Sequence, residues 1–301
     1  MNPPCRNAYL YMTHQKDHLV QRRYAVLQDS CQQRGDFWIL YDNDKHDIPS
    51  AIGASLHPFE FSEISSFGYQ LPAYLPAMPP SIWGHCDTAV LHFYRQHRHY
   101  DYYWLVEYDV GFSGPWGEFF DSWSENTSDF LCQYVMRRSE APQWRWWMAI
   151  GRTDLDPFPE SIKLRCYCPI FRISDRAIAL LDWARSHGWW GNCEILMPTL
   201  FHMNRLVVED MGGSGQFVRP ANRERFYVTD CSMYTQRPDP VQGSVRWRPF
   251  MKEVGAVPRK LWHPIKFEEN FSYYEKLNPD DRPACNYDRQ VGADSVSPAD
   301  G

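Results

Sequence analysis

The sequence predicts an α/β fold that opens as a parallel sheet with helices packed against it. One observation is the succession of strand, helix and strand from residue 8 to residue 42. A second is a helix followed by a buried strand between residues 86 and 106, and a pair of acidic residues comes directly after that strand. Helices that alternate with strands in this way are typical of α/β folds. The length of 301 residues fits one large domain or two small ones, and it suffices for a full hydrophobic core.

The first half of the chain supplies the opening of this sheet. Its apolar residues recur at strand or helix spacing, Gly35 ends the first helical pattern, and Asp42 closes the second strand. Residues 43–82 are rich in Pro, Ser, Gly and aromatic residues, so we expect an irregular insertion that lies over the site. In order, we predict a strand at 8–12, a helix from 16 to about 34, a strand at 37–42, a helix from 86 to about 98 and a strand at 102–106.

The second half continues the alternation and ends in a polar tail. Ser174 is a favoured N-cap for the helix that stops near Gly188. Pro, Asp, Ser and Gly dominate from Asn278 onward, so we expect one domain over residues 1–277 and a disordered tail over 278–301. The other predictions are a helix at 116–121, strands at 146–150 and 168–173, a helix opened by 191–194, and strand-like pieces at 226–228 and 245–247.

Composition and charge exclude several classes of protein. With 44% hydrophobic and 23% charged residues, the chain is neither disordered nor collagen-like nor a coiled coil. The net charge of −6 argues against nucleic acid as the main partner. Nine cysteines without a repeated Cys-x-x-Cys pair indicate neither a disulfide framework nor a zinc ribbon. We find no signal region and no apolar stretch near the roughly 18 residues of a membrane span, so we expect no span and a cytoplasmic location.

Aromatic residues are more numerous than a core of this size needs. Thirteen Trp, 18 Tyr and 17 Phe make up 16% of the chain. Such a surplus often lines a site for flat or semi-apolar ligands such as sugars. Packing alone explains it equally well.

Two acids directly follow the buried strand at 102–106. Glu107 and Asp109 are two residues apart, so their carboxylates project towards one side of the chain. Hard oxygen ligands of this kind suit Mg²⁺ or Mn²⁺ that bridges a diphosphate, and the carboxyl ends of central strands are where α/β sheets bind ligands. The alternative is a solvated pair at a strand end.

A histidine and a lysine near the end of the ordered chain have chemistry that complements this pair. His263 can complete the ligand shell of a divalent metal, and Lys266 can neutralise phosphate oxygens as a leaving group departs. Taken alone, His263 also fits a structural histidine with satisfied hydrogen bonds.

A third candidate is Glu194, at the start of a predicted helix and beside Trp189 and Trp190. A carboxylate against indole rings has a raised pKa and can act as a general base, while the rings offer a platform for a sugar. An acid that is simply favoured by the helix dipole is the alternative.

Three stretches of the sequence together carry a resemblance. They are Asn7-Ala8-Tyr9-Leu10-Tyr11-Met12-Thr13-His14, Tyr103-Trp104-Leu105-Val106-Glu107-Tyr108-Asp109-Val110-Gly111-Phe112-Ser113-Gly114 and Leu261-Trp262-His263-Pro264-Ile265-Lys266. They resemble a family of uncharacterised bacterial and fungal proteins related to GT-A glycosyltransferases, over most of residues 7–270, and Glu107 stands where the family's Asp-x-Asp motif has its first Asp. In addition, residues 194–200 are similar to the Glu-x-x-x-Pro-Thr-Leu of core-2/I-branching N-acetylglucosaminyltransferases.

This resemblance implies a GT-A-like, Rossmann-type mixed sheet flanked by helices, and it implies roles for individual residues. Glu194 would be the catalytic base of an inverting reaction. The acidic pair and His263 would hold Mn²⁺ or Mg²⁺, whereas the core-2 likeness implies a reaction without metal, so both remain open. The donor-binding residues would be Thr13, His14, Asp42, Glu107, Asp109 and Lys266, and the acceptor-binding residues would be Trp116, Trp189 and Trp190.

The leading hypothesis is a glycosyltransferase that moves a sugar from a nucleotide-sugar, with a UDP-sugar favoured, to a hydroxyl of a glycan or glycoconjugate. A non-catalytic protein of the same fold that binds carbohydrate or nucleotide is the second hypothesis. A metal-dependent nucleotidyltransferase or phosphohydrolase that uses Glu107, Asp109 and His263 is the third.

Overall fold

A computed structural model describes residues 5–15, 18–43, 55–71, 82, 84–154, 158–230, 243–247 and 249–266. The strands are β1 Asn7–Thr13, β2 Gly35–Asp42, β3 Ser55–Phe59, β4 Tyr102–Glu107, β5 Gly111–Phe112, β6 Phe130–Arg137, β7 Ile150–Arg152, β8 Leu164–Ser174, β9 Trp189–Gly191, β10 Val208–Asp210 and β11 Leu261–Trp262. The helices are α1 His18–Cys31, α2 Phe61–Ser65, α3 Cys86–Gln96, α4 Trp116–Asp121, α5 Asp175–Ser186 and α6 Cys193–Met203.

The centre of the fold is a mixed sheet of seven strands flanked by helices, as predicted. Its strand order is β10-β6-β8-β4-β1-β2-β3, and β8 runs antiparallel to its two neighbours while the other pairs are parallel. The chain runs outward from β1 through β2 to β3, and β4 then lies on the other side of β1. The strand order therefore reverses between β1 and β4, which is where open α/β sheets form their ligand crevice.

The predicted opening of the sheet is confirmed. β1, α1 and β2 lie where the apolar spacing places them, and so do α3 and β4. The caps behave as the residue types predict. The Ser174 side chain accepts a hydrogen bond from the Ala177 amide at 3.2 Å, and the Asn192 side chain accepts one from the Glu194 amide at 2.9 Å. Because both helices begin at a fixed residue, the start of α6 is well defined beside the sheet.

Several predictions in the second half were wrong. Residues 145–148 form a 3-10 turn before the short strand β7, because Trp147 turns inward and its Nε1 donates to the Ala141 carbonyl at 2.8 Å. No prediction covered β6, whose pairing with β8 shifts register twice around Gln133. The pieces at 226–228 and 245–247 are not strands, although Val245 forms a single bridge with His263.

Other predictions fall partly outside the described residues. The insertion at 43–82 contributes β3 and α2 in its described part. The domain limit at 277 and the tail at 278–301 lie outside the residues that the structure describes. Among the described helices, none has both the length and the apolar character that crossing a bilayer requires.

A buried histidine pair joins the edge strand β3 to α3. His57 Nε2 lies 2.8 Å from His92 Nδ1, and both rings are buried. One ring must donate and the other must accept, so the pair is incompatible with two added protons. Burial, together with the neighbouring His92 and His97, lowers the pKa of His57 to about 4.

Acidification is therefore expected to destabilise the fold through His57. The unfolded chain takes up this proton near pH 6.5 but the folded chain only near pH 4, so the unfolded state binds more protons between these values and stability falls as the pH falls through that window. Urea unfolding at pH 7 and pH 5 should show wild type losing about 2 kcal/mol more than His57→Gln. Equal losses in the two proteins would contradict this assignment.

Candidate active site

The candidate site lies at the carboxyl ends of β1 and β4. β1 ends at Thr13 and is followed by His14, and β4 ends at Glu107 and is followed by Tyr108 and Asp109. Met12 and Glu107 are direct partners in the parallel pairing of the two strands. The predicted donor-binding residues of β1 and β4 therefore lie side by side, at the point where the strand order reverses.

A second strand pair delivers the C-terminal residues to this point. β11 pairs with β5 in antiparallel register, with Leu261 opposite Phe112 and Trp262 opposite Gly111. The Ile265 amide then donates to the Asp109 carbonyl at 2.8 Å. The predicted association of His263 and Lys266 with the acidic pair follows from this backbone pairing, across about 150 residues of sequence.

Glu107, Asp109 and His263 form a compact ligand group. One ligand atom from each lies within 4.8 Å of the other two. His263 Nε2 lies 3.5 Å from Asp109 Oδ1 and 3.8 Å from Glu107 Oε2. The Lys266 ammonium donates to Asp109 Oδ2 and, at 3.1 Å, to the Tyr108 hydroxyl. Two carboxylates, an imidazole and a cation thus converge on one small volume.

The two carboxylates have opposite electrostatic surroundings. Burial alone would raise the pKa of Asp109, but His263 and Lys266 hold it well below its usual range. Burial and the nearby Asp109 raise the pKa of Glu107 to about 8, although 26% of its side chain is exposed. Burial alone would lower the pKa of the Lys266 ammonium, but the nearby Asp109 and Tyr108 have a larger effect and raise it. The site therefore contains one firmly ionised acid and one whose negative charge a further cation would favour.

The donor set fits a divalent metal. Asp109 Oδ1 is buried and has no hydrogen-bond partner among the described residues, which is costly unless a cation completes its surroundings. His263 Nδ1 lies 3.1 Å from the Arg246 carbonyl, so Nε2 is the nitrogen that faces the acids. Two carboxylate oxygens and one imidazole nitrogen are ligands that Mn²⁺ accepts, and Mg²⁺ takes the oxygens.

Glu194 lies in the first turn of α6, and its side chain belongs to the same electrostatic neighbourhood. Burial raises the pKa of Glu194 to about 7, and the buried Arg165 on β8 partly offsets the rise. The charge of Glu194 in turn contributes to the raised pKa of Glu107. A carboxyl group with a pKa near 7 is well matched to accepting a proton at neutral pH.

The three predicted acceptor-binding tryptophans differ in accessibility. Trp116 is 7% exposed and packs against core phenylalanines. Trp189 is also buried and stacks on Phe158, with ring centroids 4.9 Å apart. Trp190 is half-buried and lies on Gly151, where a Cβ would come within 2.3 Å of the indole. Trp116 and Trp189 thus have packing roles, and Trp190 is the least buried of the three.

The remaining predicted donor-binding residues lie at the ends of β1 and β2. Thr13 is buried, and its hydroxyl accepts a hydrogen bond from the Gln15 amide at 3.0 Å. The His14 ring meets the Tyr108 ring edge-on at 5.1 Å. Asp42 is buried at the end of β2, on the other side of β1 from Glu107.

Sequence reasoning missed three site residues. Tyr108 holds Lys266, Arg165 lies near Glu194, and Tyr167 contacts His263. Tyr108 could have been found from its place between the two acids. No local signal marks Arg165 and Tyr167, because both lie within a strand whose residues are all buried.

Comparisons with known proteins give only distant structural similarity. No family model and no curated protein sequence matches the chain. The galactosyltransferase LgtC, solved with donor and acceptor sugar analogues, is similar with a TM-score of 0.41 and 9% identity, over 73% of this chain and 74% of that one. Mouse xyloside xylosyltransferase 1 gives 0.33 and 8%, over 67% and 81%. The 4-diphosphocytidyl-2C-methyl-D-erythritol synthase from Anaerococcus prevotii gives 0.38 and 6%, over 73% and 94%. Because these values are low, the activities of those proteins are not transferred to this chain.

Proposed function

We propose that this protein is a glycosyltransferase that moves a sugar from a nucleotide-sugar to a hydroxyl of a glycan or glycoconjugate. The observation that carries the proposal is the convergence of Glu107, Asp109, His263 and Lys266 at the reversal of strand order, with Glu194 in the same electrostatic neighbourhood. A diphosphate needs cationic and metal-ligating groups, and an acceptor hydroxyl needs a base. The site combines both requirements.

The donor is proposed to bind over the ends of β1 and β4. Glu107, Asp109 and His263 would hold Mn²⁺ or Mg²⁺, which when bound supplies positive charge to the diphosphate. Lys266 would donate to phosphate oxygens and stabilise the charge that develops as the sugar–phosphate bond breaks. Thr13, His14 and Asp42 would contact the nucleoside. A UDP-sugar is the proposed donor.

Glu194 is proposed to accept the proton of the acceptor hydroxyl as that oxygen attacks the anomeric carbon, which gives inversion. Trp190, the most accessible of the three tryptophans, would provide an apolar face for the acceptor sugar.

Nucleotide binding tests the first half of this proposal. A ligand that binds only the folded chain raises its melting temperature, by an amount set by its concentration relative to its Kd. In a thermal-shift screen of UDP, GDP, CMP and their sugars, we expect a rise of several degrees with UDP or a UDP-sugar that is larger with Mn²⁺. The additional rise with Mn²⁺ should be lost in Asp109→Asn. It should be kept in the control variant Asp154→Asn, because Asp154 is exposed and pairs with Arg152. No shift with any nucleotide would contradict donor binding.

A nucleotidyltransferase or phosphohydrolase is the second candidate, because the group of Glu107, Asp109 and His263 is complete without Glu194. Product analysis separates the candidates. A glycosyltransferase releases a nucleoside diphosphate, whereas the second candidate releases pyrophosphate or phosphate. Binding of a UDP-sugar without slow release of free sugar would favour a non-catalytic binding protein.

A further inference from the structure

The two nitrogens of the His263 ring face different surroundings. Nδ1 lies 3.1 Å from the Arg246 carbonyl oxygen and 3.1 Å from the Tyr167 hydroxyl. Nε2 faces the carboxylates of Asp109 and Glu107, at 3.5 and 3.8 Å. One side of the ring is thus held by neutral groups, and the other side is presented to the acids.

This arrangement fixes which ring nitrogen carries the proton. A carbonyl oxygen can only accept, so Nδ1 is protonated and donates to Arg246. The Tyr167 hydroxyl lies 3.2 Å from the same carbonyl and donates its own proton there, so its oxygen is free to accept from Nδ1. With a proton held at Nδ1, Nε2 is the ring nitrogen that can offer its lone pair to a metal ion.

We infer that Tyr167 is a positioning residue, whose hydroxyl holds the His263 ring in the orientation that presents Nε2 to a divalent cation. The inference rests on the metal site of the proposed function. Tyr167 lies in β8, an interior strand of the sheet, and its side chain is buried, so its hydroxyl has a well-defined position. Outer partners that orient a metal-binding histidine in this way commonly change metal affinity by about 10- to 100-fold when removed.

The backbone that carries His263 has separate anchors. The His263 amide donates to the Ser244 carbonyl at 2.9 Å, and the Arg246 amide donates to the His263 carbonyl at 3.1 Å. The Tyr134 hydroxyl, from β6, donates to the Val245 carbonyl at 2.7 Å. Loss of the Tyr167 hydroxyl is therefore expected to loosen the ring of His263, which keeps the Arg246 carbonyl at Nδ1, and to leave its backbone in place.

Mn²⁺ binding to the full chain without nucleotide tests the inference. The dissociation constant is measured from the electron paramagnetic resonance signal of free Mn²⁺ for wild type, Tyr167→Phe, Tyr103→Phe and Asp109→Asn. Tyr103 is a matched control, because it is also a buried tyrosine of the sheet and lies in β4, four residues before Glu107. Its hydroxyl donates to the His97 carbonyl at 2.9 Å. We expect about tenfold weaker binding for Tyr167→Phe, no more than a twofold change for Tyr103→Phe, and no binding at this site for Asp109→Asn.

A second measurement separates positioning from packing. In protein labelled with ¹⁵N-histidine, ¹H–¹⁵N spectra report how fast the Nδ1 proton of each ring exchanges with water, and a His263→Ala sample identifies the signals of His263. Wild type and Tyr103→Phe should show a slowly exchanging Nδ1 proton for His263, and in Tyr167→Phe this proton should exchange faster.

The outcomes distinguish this inference from the proposed function. If Tyr167→Phe binds Mn²⁺ within twofold of wild type, or if Tyr103→Phe weakens binding equally, Tyr167 has no positioning role. If Asp109→Asn binds as wild type does, the metal site is elsewhere, and both this inference and the metal part of the proposed function fail.

Discussion

Replacing Glu194 with glutamine is expected to slow sugar transfer by about a hundredfold or more and to leave donor binding nearly unchanged. The amide keeps the size of the side chain and its place in the first turn of α6, but it cannot accept a proton from an acceptor hydroxyl. Loss of a general base costs about 10²- to 10⁴-fold in rate. Donor affinity should change little, because the proposed diphosphate contacts come from Glu107, Asp109, His263 and Lys266.

Kinetics and binding are measured on the same samples. Transfer is followed as release of nucleoside diphosphate with a glycan acceptor, and donor binding is followed by calorimetry. Glu118→Gln is the matched control, since Glu118 also lies in the first turn of a helix but is half exposed and pairs with Arg259 at 2.9 Å. If Glu194→Gln keeps more than about a tenth of the wild-type rate, Glu194 is not the base.

The pH dependence gives an independent check on Glu194. The base works only when ionised, and burial raises its pKa to about 7. Wild-type transfer is therefore expected to rise with pH through about 7, and the residual rate of Glu194→Gln should lack this rise.

Local patterns were enough to predict the part of the fold that forms the crevice. The apolar spacing of β1, α1 and β2, and of α3 and β4, needs no distant contact to be recognised. For the same reason, the acids after β4 could be placed at the carboxyl end of a strand inside the sheet. The prediction for residues 146–150 was wrong because a run with two tryptophans is equally apolar in a strand and in a 3-10 turn, and a hydrogen bond from Trp147 to the Ala141 carbonyl decides between them.

The geometry of the site depends on contacts that no local pattern shows. The pairing of Leu261 with Phe112 sets the place of His263, and the register shifts of β6 around Gln133 place Tyr134 where it reaches Val245. Tyr134 has φ of 52°, a backbone conformation that residues other than glycine rarely adopt. Such features follow from the assembled sheet, so Tyr134 and Tyr167 could not be predicted from their neighbours in sequence.

The ion pair between Asp87 and Arg185 is expected to have the largest effect on stability. Both side chains are fully buried, and Arg185 Nη2 donates to Asp87 Oδ2 at 2.7 Å, which joins α3 to α5. Removal of one partner of a buried ion pair costs about 3–5 kcal/mol. Asp87→Asn should therefore lower the free energy of unfolding by about that amount, and the exposed Asp154→Asn by less than about 1 kcal/mol.

A double variant tests whether the charge itself is the cause. In Asp87→Asn with Arg185→Met, neither side chain is charged, so urea unfolding should show a loss smaller than the sum of the two single losses by about 1–3 kcal/mol. Additive losses would mean that the two residues act separately. Arg185 Nη2 also donates to the Gly191 carbonyl at 3.2 Å, two residues before the start of α6. Arg185→Met should for this reason loosen the turn that carries Glu194 and lower transfer more than Asp87→Asn does, when both are compared at a temperature where each is fully folded.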